Sequence, residues 1–409
     1  NVTACGCRGE SPRVSKRVIL CFDGEWNCPP APGVWSFSSP HSLKQPQSGA
    51  QPDSLSSTNV LRLYQSILPR AGDGRIQQKW YDSGIDLPWF HRFREGSFGC
   101  GLDRSILLGY AYLAATYEPG DEVFLYGFSR GAYVARSLVG LLATVGLPSA
   151  PLLDQPLVRF TRNAARMGAD DAAMGTGLTH HLHQLILDPS SHILDEAYRC
   201  YRSTSSSTTG MLTSRRRSFQ RITVTLLGLW ETVGPLGIPA TALKWLGEPR
   251  YNFHDSELSP IVRWAYHALA IDEHRADHNA TLWTTPAGVD QIIEQRWFAG
   301  DHADLGGTHT ERGLADISLA WMLRISQAKG LTIAPNTVPE KANALSLLHD
   351  SFSESFVGLR RWVHSRFYRP VMQTGTRTEV LDGSVHTRLM EAPSYRPKNE
   401  GLGSLLTFD

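Results

Sequence analysis

Continuous apolar runs punctuate this chain, and most of them end in a short cluster of glycine and acidic residues. Val18–Phe22 runs into Asp23-Gly24, the shorter Gln77–Tyr81 into Asp82-Ser83-Gly84, and Glu122–Tyr126 into Gly127. Further on, Ile222–Trp230 ends in Glu231, and Ile292–Phe298 leads to Gly300-Asp301-His302. Unbroken apolar runs of this length predict strands buried on both faces. Between them, apolar residues recur at helical spacing over Asn59–Leu68, Leu102–Tyr117, Arg130–Val145 and Leu258–Ala270. Strand–helix alternation predicts an α/β fold, a mostly parallel sheet with helices on both faces.

Three stretches break the alternation. Residues 28–57 are rich in Pro, Ser, Gly and Gln and read as a surface loop within a first core segment, 14–145. Residues 146–220 precede the next strand and carry helical patterns near Leu178–Leu187 and Ile193–Tyr201. An insertion there predicts a helical cap over the carboxyl edge of the sheet. The core resumes over 221–330, and 331–409 reads as a C-terminal extension packing on it, with a helix around Ala342–His364.

Parallel strands gather ligands beyond their carboxyl ends, so the residues after each run are where chemistry is sought. Gly127-Phe128-Ser129-Arg130-Gly131 is a Gly-x-Ser-x-Gly pentad between a strand and a helix. That is the setting of a nucleophile elbow, in which Gly127 and Gly131 leave room for a turn too tight for a Cβ. A serine hydroxyl needs a base, and the base needs an orienting acid. Glu231 and His302 follow later strand ends in the order Ser, acid, His, with His309 the reserve base. Two backbone N–H groups would form the oxyanion hole: Arg130, and Gly24 or Glu25 after the first strand. Asp23 reads as a brace for that loop, and Asp304 as support for the loop after His302. Leu236, Ile238, Trp245 and Leu246 are candidates for an acyl pocket, or for core packing.

A rival chemistry is metal-dependent: Asp272, His274, Asp277 and His278, with His302 and Asp304, offer metal-ligand types, the two histidines four apart. The chain has 409 residues and nearly balanced charge, 40 basic against 39 acidic, which gives no footprint for a nucleic-acid partner. Arg215-Arg216-Arg217 beside a Ser/Thr-rich stretch reads as a solvated loop. Six cysteines form no Cys-x-x-Cys pair, and no apolar stretch has the length and continuity of a membrane span. The balance points to the cytoplasm; the start at Asn1 rather than Met leaves a signal peptide open.

The chain also resembles a known family, the uncharacterised α/β-hydrolase domain (DUF2235) that includes Tle1-type phospholipase effectors of bacterial type VI secretion. The matching pieces are Cys21-Phe-Asp-Gly-Glu-Trp-Asn27, Thr58-Asn59-Val60, Tyr81-Asp-Ser-Gly84 and Gly96-Ser-Phe-Gly-Cys-Gly-Leu-Asp103. They continue through Tyr117–Asp121, the pentad, Leu229-Trp-Glu-Thr-Val-Gly234, Ala270-Ile-Asp-Glu273 and Trp297–Gly307. The resemblance implies an α/β-hydrolase-like fold and a triad of Ser129, Glu231 and His302. It departs from the family at Glu231, where Asp is usual, and at Glu25, where Thr is usual. The expectation is a serine hydrolase cleaving a carboxylic ester, a lipid or other small apolar ester, with no cofactor. An acyltransferase or natural-product enzyme on the same triad, or a non-catalytic binding protein, are the alternatives. Oligomeric state is not read from the sequence.

Overall fold

The structure is a computed structural model and describes residues 15–24, 57–84, 100–149, 153, 155–166, 178, 182, 186, 192–202, 219–233, 257–337, 339, 342–355 and 365–402. The predicted loop 28–57, except for its last residue, the Arg215–Arg217 run and most of Leu178–Leu187 lie outside them. In chain order the elements are β1 (Arg17–Phe22), α1 (Asn59–Ser66), β2 (Gln77–Asp82), α2 (Cys100–Thr116), β3 (Glu122–Phe128) and α3 (Arg130–Thr144). Then come β4 (Leu147–Pro148), α4 (Gln155–Arg166), α5 (His192–Arg202), β5 (Phe219–Gln220), β6 (Val224–Trp230), β7 (Val262–Ala270) and β8 (Ile292–Phe298). The last are α6 (His302–Gly306), α7 (Gly313–Ala328), α8 (Ser351–Ser355), β9 (Glu379–Leu381) and α9 (Gly383–Glu391).

Seven strands form one parallel sheet in the order β2-β1-β3-β6-β7-β8-β9. The α/β-hydrolase-like architecture expected from the sequence is therefore present. Side chains alternate across each strand, and the two faces carry separate cores. Val18, Leu20 and Phe22 of β1 pack with α2, α3 and α5, whereas Ile19 and Cys21 pack with α1 and α7. A third cluster joins Trp297 of β8 to Val371, Val385, Leu389 and Leu402, which anchors 365–402 against the end of the sheet.

Two expectations need correction. Leu258–Ala270 does not form a helix: Val262–Ala270 is the strand β7, paired with β6 and β8. Its run of alanines, aromatics and one histidine is apolar almost throughout, and periodicity cannot separate a buried strand from a buried helix in so short a run. Hydrogen bonding to two neighbouring strands settles it. The predicted helix Ala342–His364 is limited to α8, with 342–350 irregular and 356–364 outside the described residues. As for the insertion 146–220, its described helices α4 and α5 rest on α2 and α3. There, Tyr198 Oη donates to Asp103 Oδ1 at 2.5 Å and Arg162 Nε to the Ala115 carbonyl at 2.7 Å.

The register places the carboxyl ends Phe22, Phe128, Trp230, Ala270 and Phe298 along one edge, since Phe128 pairs with Trp230 and Ala270 with Phe298. Asn59 ties this edge to the helices. Buried, it donates through Nδ2 to the carbonyls of Leu305 (2.8 Å) and Ala315 (2.9 Å), and its Oδ1 accepts from Arg312 at 2.9 Å. Replacing Asn59 by Ala strands these buried partners, so unfolding in urea should show a loss of about 1–3 kcal/mol. Unchanged stability would contradict this role.

Candidate active site

Ser129 is the N-cap of α3 and sits at φ 56°, ψ −119°, a strained backbone for a side chain with a Cβ. The strain is held from both sides. Its N–H donates to the Trp230 carbonyl at 3.0 Å, and a Cβ at Gly131 would overlap the Phe22 carbonyl. Glu231 is likewise in the left-handed region, φ 49°, and its N–H donates to the Ala268 carbonyl at 3.0 Å. Both turns thus leave their strands abruptly and aim the side chain above the sheet edge.

His302 arrives from β8 by a different device. It is the first residue of α6, capped by Asp301, which accepts from the Asp304 N–H at 2.8 Å while Asp304 Oδ2 accepts from the Asp301 N–H at 3.1 Å. This reciprocal capping box fixes where the helix starts. The imidazole lies on Phe128, ring centroids 4.8 Å apart, and α6 comes so close that a Cβ at Gly306 would overlap the Phe128 ring.

These three elements bring Ser129, His302 and Glu231 into one hydrogen-bonded chain. His302 Nε2 lies 2.9 Å from Ser129 Oγ, and His302 Nδ1 lies 3.1 Å from Glu231 Oε2. Glu231 is fully buried. Its Oε1 accepts from the Ala270 N–H at 2.7 Å, and Arg369 grips both oxygens, Nη1 to Oε1 at 2.8 Å and Nη2 to Oε2 at 2.9 Å. Burial alone would raise the Glu231 pKa, but the Arg369 charge and the hydrogen bonds from His302 and Arg369 hold it well below the usual carboxylate range. An ionised Glu231 accepts at Nδ1, so the ring proton sits there and Nε2 is left to accept from the serine.

Arg369 was not among the sequence candidates, and it is as buried as the acid it meets, 1% exposed against 0%. Its Nη1 also donates to the Ala270 carbonyl at 2.8 Å and its Nη2 to the His278 carbonyl, while its own carbonyl accepts from Asn399. His267 is another unforeseen member: its Nε2 accepts from the Thr232 N–H at 3.1 Å, steadying the turn after Glu231. Burial, with Arg136 nearby, pushes the His267 pKa down to about 3, so the ring is neutral.

The loop after β1 holds a correction. Gly24 was a candidate oxyanion donor, but its N–H donates to Asp23 Oδ1 at 2.8 Å. What Gly24 supplies is space, since a Cβ there would come within 2.5 Å of Ser129 Cβ. Asp23 braces the loop by accepting also from Thr58 and from Tyr81 Oη, the latter at 2.6 Å. Burial raises its pKa to about 6 despite these bonds. Arg130 is the first residue of α3, where a backbone N–H has no intrahelical acceptor, and its Nε donates to the Gly24 carbonyl at 3.0 Å. Glu25, Leu236, Ile238, Trp245 and Leu246 lie outside the described residues.

The rival metal set is dispersed into other tasks. Asp272 accepts from Gly300 N–H and Tyr395 Oη, both at 2.9 Å, and His274 Nδ1 lies 3.1 Å from the Phe367 carbonyl. His274 and His278 do not share a helix face, because only Ala276–His278 is helical there, as a single 3-10 turn. His278 packs edge-on against His302, with centroids 5.4 Å apart, and burial and the adjoining His302 lower its pKa to about 3. His309, the reserve base, lies beside Asp301 instead of Ser129.

A family model for the T6SS phospholipase effector Tle1-like catalytic domain matches residues 16–325. Uncharacterized protein YEL023C of Saccharomyces cerevisiae is 32% identical over 152 residues, which are 34% of this chain and 19% of that protein, so the chain spans about a fifth of that relative's length. Among solved structures, an uncharacterized protein from Pseudomonas aeruginosa is 14% identical, covers 79% of this chain and 47% of its own, and superposes with a TM-score of 0.40. The Tle1 effector bound to the VgrG spike of the type VI secretion system is 16% identical, with 73% and 52% covered and a TM-score of 0.33.

Replacing Arg369 by Met leaves a buried carboxylate without its counter-charge, a loss of about 3–5 kcal/mol in urea unfolding near neutral pH. The pH dependence should change sign with it. In the wild type the depressed Glu231 pKa stabilises the fold above the ordinary value of 4.5, a contribution lost as pH falls below it. In the variant, burial, the largest influence, is opposed only by the bonds from His302 and Ala270, and the Glu231 pKa rises, so stability should decline as pH increases from that value. Adding Glu231→Gln should restore most of the loss; a double variant no more stable than Arg369→Met would contradict the pairing.

Proposed function

The chain belongs to the Tle1-like phospholipase effector catalytic-domain family, and on that premise we propose that it is a serine hydrolase of lipid carboxylic esters, phospholipids first among them. The observation that carries this reading is the unbroken hydrogen-bond chain Ser129–His302–Glu231, 2.9 Å and 3.1 Å between heavy atoms. Ser129 Oγ gives its proton to His302 Nε2 as it attacks the acyl carbon. The tetrahedral oxyanion is held by the Arg130 N–H at the start of α3, with the second donor sought at Glu25, next after Gly24. The imidazolium, steadied by Glu231, returns the proton to the leaving alcohol. Water repeats the cycle on the acyl-enzyme.

In this scheme Glu231 is the orienting acid and Arg369 a positioning residue, keeping that acid ionised in a site that excludes water. The extra methylene of Glu, where Asp is usual among resembling sequences, lets one carboxylate serve His302, Ala270 and Arg369 together. Lipid as the substrate class comes from the family, and Leu236, Ile238, Trp245 and Leu246 are the candidates for the acyl-binding surface.

A fluorophosphonate probe should label Ser129, located by mass spectrometry, and Ser129→Ala should abolish labelling and ester hydrolysis. The rate loss should be on the order of 10⁴–10⁶. Glu231→Gln should lower kcat about 10⁴-fold, with the histidine held in the wrong tautomer. Phosphatidylcholine and phosphatidylethanolamine vesicles, assayed for released fatty acid beside short p-nitrophenyl esters, test the lipid assignment. Cleavage of the short esters with no fatty acid from any vesicle would reject phospholipid while keeping the triad. Hydrolysis persisting in Ser129→Ala would reject the triad itself.

A further inference from the structure

We propose that Asp304, His309 and His349 form a binding site for a divalent transition-metal ion, zinc by the nature of its donors, which clasps the turn after α6 to the 342–350 segment. One potential ligand atom from each residue lies within 4.8 Å of the other two. His349 Nδ1 is 2.6 Å from Asp304 Oδ1, and the His309 and His349 rings lie face to face, with centroids 3.6 Å apart and planes 15° from parallel. His309 Nε2 is buried and faces Asp301 Oδ1 at 3.5 Å, a pairing that raises the His309 pKa against the effect of burial. That separation is the one two ligands of a tetrahedral ion take, about 3.3–3.5 Å for bonds of about 2.0–2.1 Å, whereas Asp304 Oδ1 and His349 Nδ1 share a hydrogen bond at 2.6 Å that an ion would replace, the two atoms moving apart to that separation.

The donor set is two imidazoles and one carboxylate, which suits zinc and its neighbours in the first transition row rather than the all-oxygen ions calcium and magnesium. The outer groups are in place as well. Asp304 Oδ2 accepts from the His349 N–H at 3.1 Å and from the Asp301 N–H at 3.1 Å, which fixes the carboxylate while Oδ1 faces the histidines. Such outer partners orient ligands and raise affinity. The two histidine side chains keep 21% and 15% of their surface exposed, so an ion can enter from solvent. Asp301 or a water would take the fourth position.

The ion would not enter the ester chemistry. His302 spends its two nitrogens on Ser129 and Glu231, so neither is left for an ion. Its effect would be mechanical: Asp301 and Asp304 fix the start of α6, and hence the backbone of His302.

The test uses the full chain, freed of metal by chelation and dialysis. Titration with Co²⁺ should give one equivalent bound, with visible absorption of tetrahedral intensity displaced by Zn²⁺. Affinity should fall as pH drops from 7.5 to 5.5, because the histidines must be neutral to bind. Zinc should protect His309 and His349, but not His302, from diethyl pyrocarbonate, read by peptide mass spectrometry. His309→Gln and His349→Gln should each weaken zinc binding by more than about 100-fold, with circular dichroism confirming the fold. Failure to take up an equivalent, protection of other histidines in place of these two, or unchanged affinity in both folded variants would overturn the proposal. The protection arm uses the unaltered chain, so misfolding of a variant does not remove the test.

Discussion

A carboxylate with no access to water takes up a proton unless something holds its charge, and the centre of this site depends on one guanidinium that does so. Glu231 has four hydrogen bonds from three directions, two of them from Arg369. A neutral carboxylic acid in that position would be a poor partner for His302 Nδ1, and the ring would be free to present either nitrogen to Ser129. Removing two charges from water costs several kcal/mol each, so the pair is weak evidence for net stability. Its contribution is to the charge state of one oxygen and the tautomer of one ring.

The supporting structure is arranged to make that chemistry a matter of backbone placement. Strand register aligns the carboxyl ends, two left-handed turns lift Ser129 and Glu231 out of the sheet, and a capping box starts the helix of His302. Ser129 and Glu231 are therefore positioned by main-chain bonds, and His302 by side-chain bonds to the main chain at the start of its helix. The brace at Asp23 extends this logic to the loop beside Ser129. Thr58 both caps α1, accepting from the Leu61 N–H, and donates to Asp23, so one hydroxyl couples the first helix to the elbow.

Much of this was legible in the sequence because strand ends and glycines have steric signatures. Ser129, Glu231 and His302 were singled out by position after buried runs, and the structure sets them within hydrogen-bonding distance of one another. β7 was misread because an apolar run rich in alanine carries no distinguishing period. Arg369 was invisible: it stands in an irregular segment, and nothing local marks an arginine that folds back over more than a hundred residues onto Glu231. The one available hint was the unusual acid itself, since a longer carboxylate suggests a longer list of partners. Gly24 misled for the opposite reason. It lies beside Ser129, but whether an N–H is free depends on a neighbouring side chain, and the sequence carries no sign of that bond.

Phe128, finally, has a part that belongs to neither core nor catalysis as usually divided. It immediately precedes the serine, lies beneath the imidazole at 4.8 Å, and meets α6 at the one helix position left bare by Gly306. Phe128 thus ties the strand that leads into Ser129 to both the ring of His302 and the helix that carries it. A shift of α6 relative to β3 would disturb both of these contacts, so the distance between Oγ and Nε2 depends on how that ring is packed. Under the proposed mechanism the rate would then depend on the width of a side chain that takes no part in the proton transfers.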